Sequence, residues 1–175
     1  NEPGVEFRTV KYGGVEGEVN VPLNAREDAI VLYIHGGGLI CGNAFSSRGY
    51  ASMLAGESKF PVYTLTYRLA PENPFPAAVE DCFAYYRELV GENPDKPIFL
   101  IGESGGAYLS ITTAMKARDE GVKMPAGIVP YSAPIEFSNR IDRNFEGNKD
   151  FTVPPEGLLQ LGELYDPGQK NDQNP

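Results

Sequence analysis

The chain has 175 residues, of which 41% are hydrophobic and 22% charged, a composition typical of one globular domain with a substantial core. The 15 basic and 24 acidic residues give a net charge of −9, which repels phosphate backbones and argues against a nucleic-acid-binding protein. One histidine and two cysteines without CxxC spacing argue against a zinc site and a disulfide scaffold. We interpret Cys41 and Cys82 as small buried hydrophobic residues.

No apolar run approaches the length of a membrane span, and the longest covers only Ala29–Ile34. The first residues contain neither the basic nor the apolar region of a secretion signal. We therefore predict a cytoplasmic protein.

The N-terminal segment Val5–Val21 alternates loosely between apolar and polar residues and turns at Gly13-Gly14, a pattern that predicts a β-hairpin. Short apolar runs follow, of the kind found in strands buried on both faces. These predicted strands are Ala29–Ile34, Val62–Tyr67, Ile98–Ile101 and, less regular because Pro130 cannot donate a ladder hydrogen bond, Gly127–Tyr131.

Helices are predicted between the strands, at Ala44–Ser58, from Pro76 to a stop at Gly91, and at Ser104–Asp119. The second has one apolar face, made of Val79, Cys82, Phe83, Tyr86, Leu89 and Val90. Alternating strands and helices predict an α/β fold with a mostly parallel, doubly wound sheet that starts with the antiparallel hairpin.

From Asn139 onward the sequence is polar and broken by prolines, with one short amphipathic segment at Glu156–Tyr165. We therefore predict a single domain over residues 1–175, in which residues 1–138 form the core and residues 139–175 form an irregular polar segment.

The sequence GESGG at Gly102–Gly106 matches the GxSxG pattern of a nucleophile elbow. It follows the strand Ile98–Ile101 and opens a helix, so a sharp turn would expose the Ser104 hydroxyl above the sheet. The helix N-terminus would also bring free N–H groups to a reacting carbonyl. The alternative is a structural turn with a capping serine.

Three consecutive glycines follow His35 directly after the strand Ala29–Ile34. Such a run costs backbone entropy, and one reason to keep it is close approach of backbone N–H groups to a ligand oxygen. Acyl transfer needs such donors at the oxyanion of its tetrahedral intermediate. A flexible loop or a tight turn is the alternative, but two motifs that each follow a buried strand favour a catalytic interpretation.

A proline-rich stretch begins at Tyr67–Glu72 (YRLAPE) and continues with Pro74–Ala78 (PFPAA). This density of prolines predicts an ordered, irregular crossover from strand to helix. We interpret Arg68, Glu72 and Asp81 as a charge network that holds the crossover and has a structural role.

These motifs, in this order, resemble the hormone-sensitive-lipase-like branch of the α/β-hydrolases, which contains carboxylesterases and lipases. The resemblance covers about residues 29–132. It implies an α/β-hydrolase fold, a small-molecule carboxylic ester as substrate, an acyl-enzyme on Ser104, and no metal or organic cofactor. It also implies that the N–H groups of Gly36, Gly37 and Gly105 form the oxyanion hole, and that His35 positions the glycine loop without acting as the general base.

The sequence departs from this family because no histidine follows Ser104, where the family has an acidic residue and then a histidine. The family's domain also continues with further strands. We therefore expect an N-terminal portion of such an enzyme, truncated before the last strands and poorly active alone. A non-catalytic ligand-binding protein of the same fold, an inactive fragment and a peptidase are the alternatives. The missing C-terminal segment or a second copy of the chain would cover the edge of strand Gly127–Tyr131.

Overall fold

The computed structural model describes residues 2–135 and 154–168. Along these residues the strands are β1 (Val5–Tyr12), β2 (Val15–Pro22), β3 (Ile30–Ile34), β4 (Val62–Leu65), β5 (Ile98–Glu103) and β6 (Gly127–Tyr131). The helices are α1 (Ala44–Ser58), α2 (Ala77–Glu92), α3 (Gly105–Asp119) and α4 (Pro155–Tyr165). The predicted alternation of strands and helices is thereby confirmed.

The strands form one sheet in the order β1-β2-β4-β3-β5-β6. Strands β1 and β2 make an antiparallel hairpin whose turn residues Gly13 and Gly14 have φ angles of 59° and 81°. Two successive positive φ angles suit glycine, which explains why the hairpin turns there. Strand β2 pairs antiparallel with β4, and β4-β3-β5-β6 are parallel, so the predicted mixed sheet is confirmed.

Helices cover both faces of the sheet, which is why every residue of the central strand β3 is buried. On one face, α2 and α3 pack on a core that includes Leu32, Ile34, Leu65, Tyr86, Leu100 and Leu109. On the other face, α1 packs on a smaller core formed by Val31, Tyr33, Ala51, Ala55 and Val62.

Helix α1 has the predicted bounds because its start is capped at Asn43. The Asn43 side chain accepts a hydrogen bond from the Ser46 N–H at 2.8 Å, and the Ser46 hydroxyl accepts one from the Asn43 N–H at 3.0 Å. Helix α2 ends at Glu92, one residue beyond the predicted stop at Gly91, and Asn93 caps it before Pro94. Proline cannot continue a helix, and this restriction outweighs the weak helix preference of a glycine.

The carboxyl ends of the parallel strands β3 and β5 lie side by side, with Ile34 opposite Gly102. The glycine loop and the serine turn, which directly follow these two strands, therefore meet at one edge of the sheet.

None of the helices within the described residues is long and apolar enough to cross a membrane. Most of the predicted polar segment, residues 139–153 and 169–175, lies outside the described residues, so the division at residue 138 stays a prediction.

Strand β6 is the outermost strand on its side of the sheet among the described residues. Val129 lies on this strand and is 51% exposed. An edge strand with exposed apolar side chains presents unpaired N–H and C=O groups to other chains. Its coverage by a further segment or by a second copy of the chain stays a prediction.

We expect the 175-residue chain to self-associate through this edge and Val129→Lys to weaken the association, because a charged side chain on an edge strand disfavours pairing. Light scattering over a concentration series measures the change. The matched control Met115→Lys places a lysine on the exposed surface of a helix rather than on the edge strand, and should leave the association unchanged. A stable monomer of the unsubstituted chain would contradict the prediction.

Candidate active site

Ser104 stands at a sharp turn between β5 and α3, with φ 51° and ψ −121°. A positive φ is disfavoured for a residue with a β-carbon, and such strain costs about 1–3 kcal/mol. The Ser104 N–H donates to the Tyr131 carbonyl oxygen at 3.1 Å, and the Ser104 carbonyl accepts from the N–H groups of Ala107 and Tyr108. The strained strand-to-helix turn predicted from the GxSxG pattern is confirmed, whereas the catalytic role of Ser104 stays a prediction.

The two outer glycines of the motif are needed because backbones cross closely there. A β-carbon on Gly106 would overlap the Ile34 carbonyl oxygen and lie 2.5 Å from the His35 carbonyl oxygen. A β-carbon on Gly102 would overlap the Gly106 carbonyl and lie 2.5 Å from the Ser110 hydroxyl. No side chain fits at either position, so the glycines allow α3 to start directly against the end of β3.

The glycine loop after β3 forms a tight turn. Gly37 and Gly38 have φ angles of 108° and 61°, and the Gly37 carbonyl accepts hydrogen bonds from the N–H groups of Ile40 and Cys41, both at 3.1 Å. A β-carbon on Gly37 would overlap the Cys41 carbonyl group. The loop is therefore a tight turn that needs glycine, one of the two non-catalytic alternatives for this run, and its role as an oxyanion hole stays a prediction.

The glycine loop lies directly on the serine turn. A β-carbon on Gly36 would lie 3.4 Å from the Ser104 β-carbon, and one on Gly105 would lie 3.2 Å from the Leu39 nitrogen. The structure thus brings together the predicted residues Gly36, Ser104 and Gly105, with Gly37 next along the loop. Within the described part of the chain, the N–H groups of Gly36, Gly37 and Gly105 donate to no acceptor.

Leu39 belongs to this loop and is a residue that the sequence did not reveal. It is fully buried and has a φ of 66°, which is unusual for a side chain with a β-carbon. A β-carbon on Gly105 would lie 3.1 Å from the Leu39 side chain, and the Leu39 carbonyl accepts a hydrogen bond from the Ala70 N–H at 2.9 Å. Leu39 therefore joins the loop to the serine turn and to the crossover that follows β4.

His35 is 4% exposed, and its ring stacks on Tyr67 with centroids 4.2 Å apart. Its Nδ1 lies 2.7 Å from the Gly36 carbonyl oxygen, which can only accept, so Nδ1 carries the proton. The Tyr67 hydroxyl donates to the His35 carbonyl oxygen at 2.9 Å. These contacts are all with the loop and the crossover, as expected for a residue that positions the glycines.

Burial lowers the pKa of His35, and the hydrogen bond to Gly36 opposes this shift only in part. The imidazole is therefore neutral at pH 7. Its Nε2 is buried and has no hydrogen-bond partner in the part of the chain that the structure describes.

Cys41 does not have the buried position predicted for it. Its side chain is exposed at the end of the glycine loop, and its thiol donates to the Gly37 carbonyl oxygen at 3.3 Å. Cys82 is buried in the main core, as predicted. Cys41 follows an apolar stretch in sequence, but the tight turn at Gly37 directs it outward.

The crossover is held by a charge network that differs from the predicted one in one residue. Arg68 binds Asp81 through Nε and Nη2, at 2.9 and 2.8 Å, and the second carboxylate is Glu80, at 3.3 Å. Glu72 is exposed and makes no ion pair with any described residue. Glu80 lies in the first turn of α2 and Asp81 follows it directly, so both can reach Arg68, whereas Glu72 precedes the helix.

Helix α4 covers the glycine loop from the far part of the chain. A β-carbon on Gly38 would lie 3.0 Å from the Leu161 side chain. The buried Tyr165 packs edge-on against Phe75 and Tyr108, and its carbonyl accepts the Phe75 N–H at 2.6 Å. Helix α4 thereby forms a wall beside the loop.

Across residues 2–135 and 154–168, no group of three or more His, Cys, Asp or Glu side chains could bind a metal ion.

Comparison with known proteins identifies the family. The model of the family described as the alpha/beta hydrolase fold matches residues 31–175. The chain is 30% identical to an esterase of Acinetobacter venetianus over 138 residues, which are 78% of this chain and 45% of that protein. It is 41% identical to an acetyl-hydrolase of Streptomyces hygroscopicus over 107 residues, which are 60% of this chain and 36% of that protein.

Solved structures agree with these sequence relatives. A hormone-sensitive lipase from a metagenome library superposes with a TM-score of 0.89 and 36% identity, covering 99% of this chain and 61% of that one. An esterase from the bacterial hormone-sensitive lipase family gives a TM-score of 0.88 and 33% identity over 99% of this chain and 59% of that one. The chain therefore belongs to the alpha/beta hydrolase fold family and, within it, to the hormone-sensitive-lipase-like branch. It spans about three fifths of the length of these solved structures.

We expect Gly106→Ala to destabilise the fold by about 1–3 kcal/mol or more, because the added methyl group overlaps a backbone oxygen that cannot move aside. Gly49→Ala is the matched control, since Gly49 lies in α1 with open space around it. It should stabilise the fold by about 0.5–1 kcal/mol. Urea unfolding measures both, and equal effects would contradict the close crossing at Gly106.

His35 should make stability fall with acidity. Its pKa in the folded chain is below the unfolded value of about 6.5, so its contribution is complete above pH 6.5 and is lost as the pH falls toward the folded pKa. The free energy of unfolding should fall by up to about 1.4 kcal/mol per pH unit in that window. His35 is the only histidine of the chain, so His35→Asn should remove this slope; a slope that persists in the variant would contradict the assignment.

Proposed function

We propose that the chain is the part of a serine carboxylic ester hydrolase that carries the nucleophile and the oxyanion hole. The observation that carries the proposal is the contact between the strained Ser104 turn and the glycine loop. The N–H groups of Gly36, Gly37 and Gly105, in the loop and the turn that meet here, make no hydrogen bond with a described residue, which supports a role as donors to a ligand oxygen. Free donors next to a hydroxyl at a helix N-terminus are what acyl transfer requires.

In the proposed reaction, a base removes the proton from Ser104 as its Oγ attacks the ester carbonyl carbon. The carbonyl oxygen becomes an oxyanion and accepts hydrogen bonds from the three N–H groups. The alcohol then leaves with a proton returned by the base, and an acyl-enzyme remains. Water attacks the acyl-enzyme by the same route and regenerates Ser104. These steps use no metal and no organic cofactor.

His35 is a poor candidate for the base. Its Nδ1 proton is used in the hydrogen bond to Gly36, its ring is fixed against Tyr67, and burial lowers its pKa. We propose that it positions the loop, and that the base belongs to a segment other than this chain. The names of the relatives, esterase and acetyl-hydrolase, support a small carboxylic ester as the substrate.

A non-catalytic ligand-binding protein is the second candidate, because no histidine follows Ser104 in this sequence. Such a protein would use the same glycine loop to hold an oxygen of its ligand without turnover. The two functions differ in one property, the reactivity of the Ser104 hydroxyl once a base is supplied.

We expect the isolated chain to hydrolyse p-nitrophenyl acetate slowly, at a rate set by positioning and by the oxyanion hole. Added imidazole should raise the Ser104-dependent rate about tenfold or more, because it supplies the missing proton acceptor. The Ser104-dependent rate is the rate of the unsubstituted chain minus the rate of Ser104→Ala at the same imidazole concentration. This subtraction also removes the direct reaction of imidazole with the ester.

Ser47→Ala, which removes a hydroxyl from α1, is the control and should keep the imidazole effect. A fluorophosphonate adduct located on Ser104 by mass spectrometry should appear under the same conditions. If Ser104→Ala retains the full rate and no adduct forms, the esterase proposal fails and the binding function is favoured. Fast turnover without imidazole, lost in Ser104→Ala, would show that this chain contains its own base.

A further inference from the structure

Three tyrosines lie beside the serine turn on the face of the sheet that α1 covers. Tyr33 belongs to β3, Tyr50 to α1 and Tyr131 to β6, and we call them the tyrosine cluster. The rings of Tyr33 and Tyr50 are 4.9 Å apart, and the Tyr131 hydroxyl donates to the Tyr50 hydroxyl at 2.6 Å. The cluster thus connects two strands to one helix.

Both ends of the cluster reach the serine turn. The Tyr131 carbonyl accepts the Ser104 N–H at 3.1 Å, and the Tyr33 hydroxyl donates to the Glu103 carboxylate at 3.2 Å. Ser104 and the residue before it are therefore held by two different strands. Strained backbone persists only where its surroundings fix it, and the hydrogen bond from the Ser104 N–H to Tyr131 is the one that fixes this turn from the edge strand.

The hydroxyl of Tyr131 matters because β6 lies at the edge of the sheet. Among the described residues β6 pairs only with β5, and its Val129 is 51% exposed. Ser132, which follows the strand, also has a positive φ, of 55°. The hydrogen bond to Tyr50 ties the end of this edge strand to α1, and it thereby limits the movement of the carbonyl that binds Ser104.

We propose that the Tyr131–Tyr50 hydroxyl pair is a positioning device for the nucleophile: it fixes the Tyr131 carbonyl, which in turn holds the strained Ser104 turn. Neither tyrosine needs to contact the ester for this role. The proposal rests on the proposed function for its catalytic consequence, but the mechanical connection can be measured without any activity.

Hydrogen exchange of the Ser104 amide, followed by NMR, measures this connection. Tyr131→Phe and Tyr50→Phe each remove one hydroxyl of the same hydrogen bond. Each should accelerate exchange of the Ser104 amide roughly three- to tenfold, as expected for loss of one hydrogen bond. The double variant should show no more than the larger single effect, because both substitutions break one interaction. The Leu100 amide in the central strand β5 reports global stability and should change much less.

Tyr86→Phe is the matched control. The Tyr86 hydroxyl donates to the Lys123 carbonyl at 2.7 Å, between α2 and the segment after α3, and its loss should leave the exchange of the Ser104 amide unchanged relative to that of Leu100. If Tyr131→Phe behaves like Tyr86→Phe, or if the effects of Tyr131→Phe and Tyr50→Phe add, the proposal is overturned. Should Tyr131→Phe fail to fold, Tyr50→Phe tests the same bond from the more exposed side.

The effect of the tyrosine pair on catalysis is measured separately, as a rate of ester hydrolysis. In the imidazole assay, Tyr131→Phe should lower the maximal Ser104-dependent rate roughly three- to tenfold and leave the ester concentration for half-maximal rate unchanged. An unchanged maximal rate would overturn the positioning role. If the unsubstituted chain shows no Ser104-dependent hydrolysis, the proposed function fails, and the exchange measurement still decides whether the tyrosine pair holds the turn.

Discussion

The start of helix α3 lies so close to the end of strand β3 that no side chain can stand between them, and the rest of the site depends on this contact. Gly106 faces the carbonyl oxygens of Ile34 and His35, and Gly102 faces the Gly106 carbonyl. The crossing places Ser104 at the end of β5 and beside Gly36 of the loop. Since the loop and the turn follow neighbouring parallel strands, they meet at one edge of the sheet without any long-range side-chain network.

Much of this arrangement could be predicted because its causes are local in sequence. Continuous apolar runs predicted the central strands, and the glycine pair Gly13-Gly14 predicted the turn of the hairpin. Asn43 and the residues after it have the chemistry of a helix start, so α1 has the bounds expected of it. The GxSxG pattern predicted a strained turn at Ser104, with glycines where a side chain would clash. In the structure Ser104 has a φ of 51°, and a β-carbon on Gly102 or Gly106 would overlap backbone atoms.

The features that sequence analysis missed depend on contacts between distant segments. Nothing in the sequence next to Leu39 indicates that its left-handed backbone is fixed by Gly105 and by the Ala70 N–H. Cys41 was expected inside the protein, but the direction of the chain after Gly37 decides its exposure. Likewise, the choice of Glu80 over Glu72 as a partner of Arg68 depends on where α2 begins, and the hydroxyl of Tyr131 finds its partner, Tyr50, on the distant helix α1.

The pairing of β3 with β5 has a consequence for how the chain reaches its native state. Ile30 pairs with Ile98, so the two strands that carry the glycine loop and the serine turn are far apart along the chain. Parallel pairing of distant segments requires closure of a long loop, and the entropy cost of this closure comes before the stabilising contacts form. Such topologies therefore fold slowly, in milliseconds to seconds for small domains. The GxSxG motif indicates the strained conformation of Ser104, but contacts with Gly36 after β3 and with Tyr131 of β6 hold it, so we expect it to form only after that closure. The strained turn at Ser104 is therefore expected late in folding, after the sheet that supports it has formed.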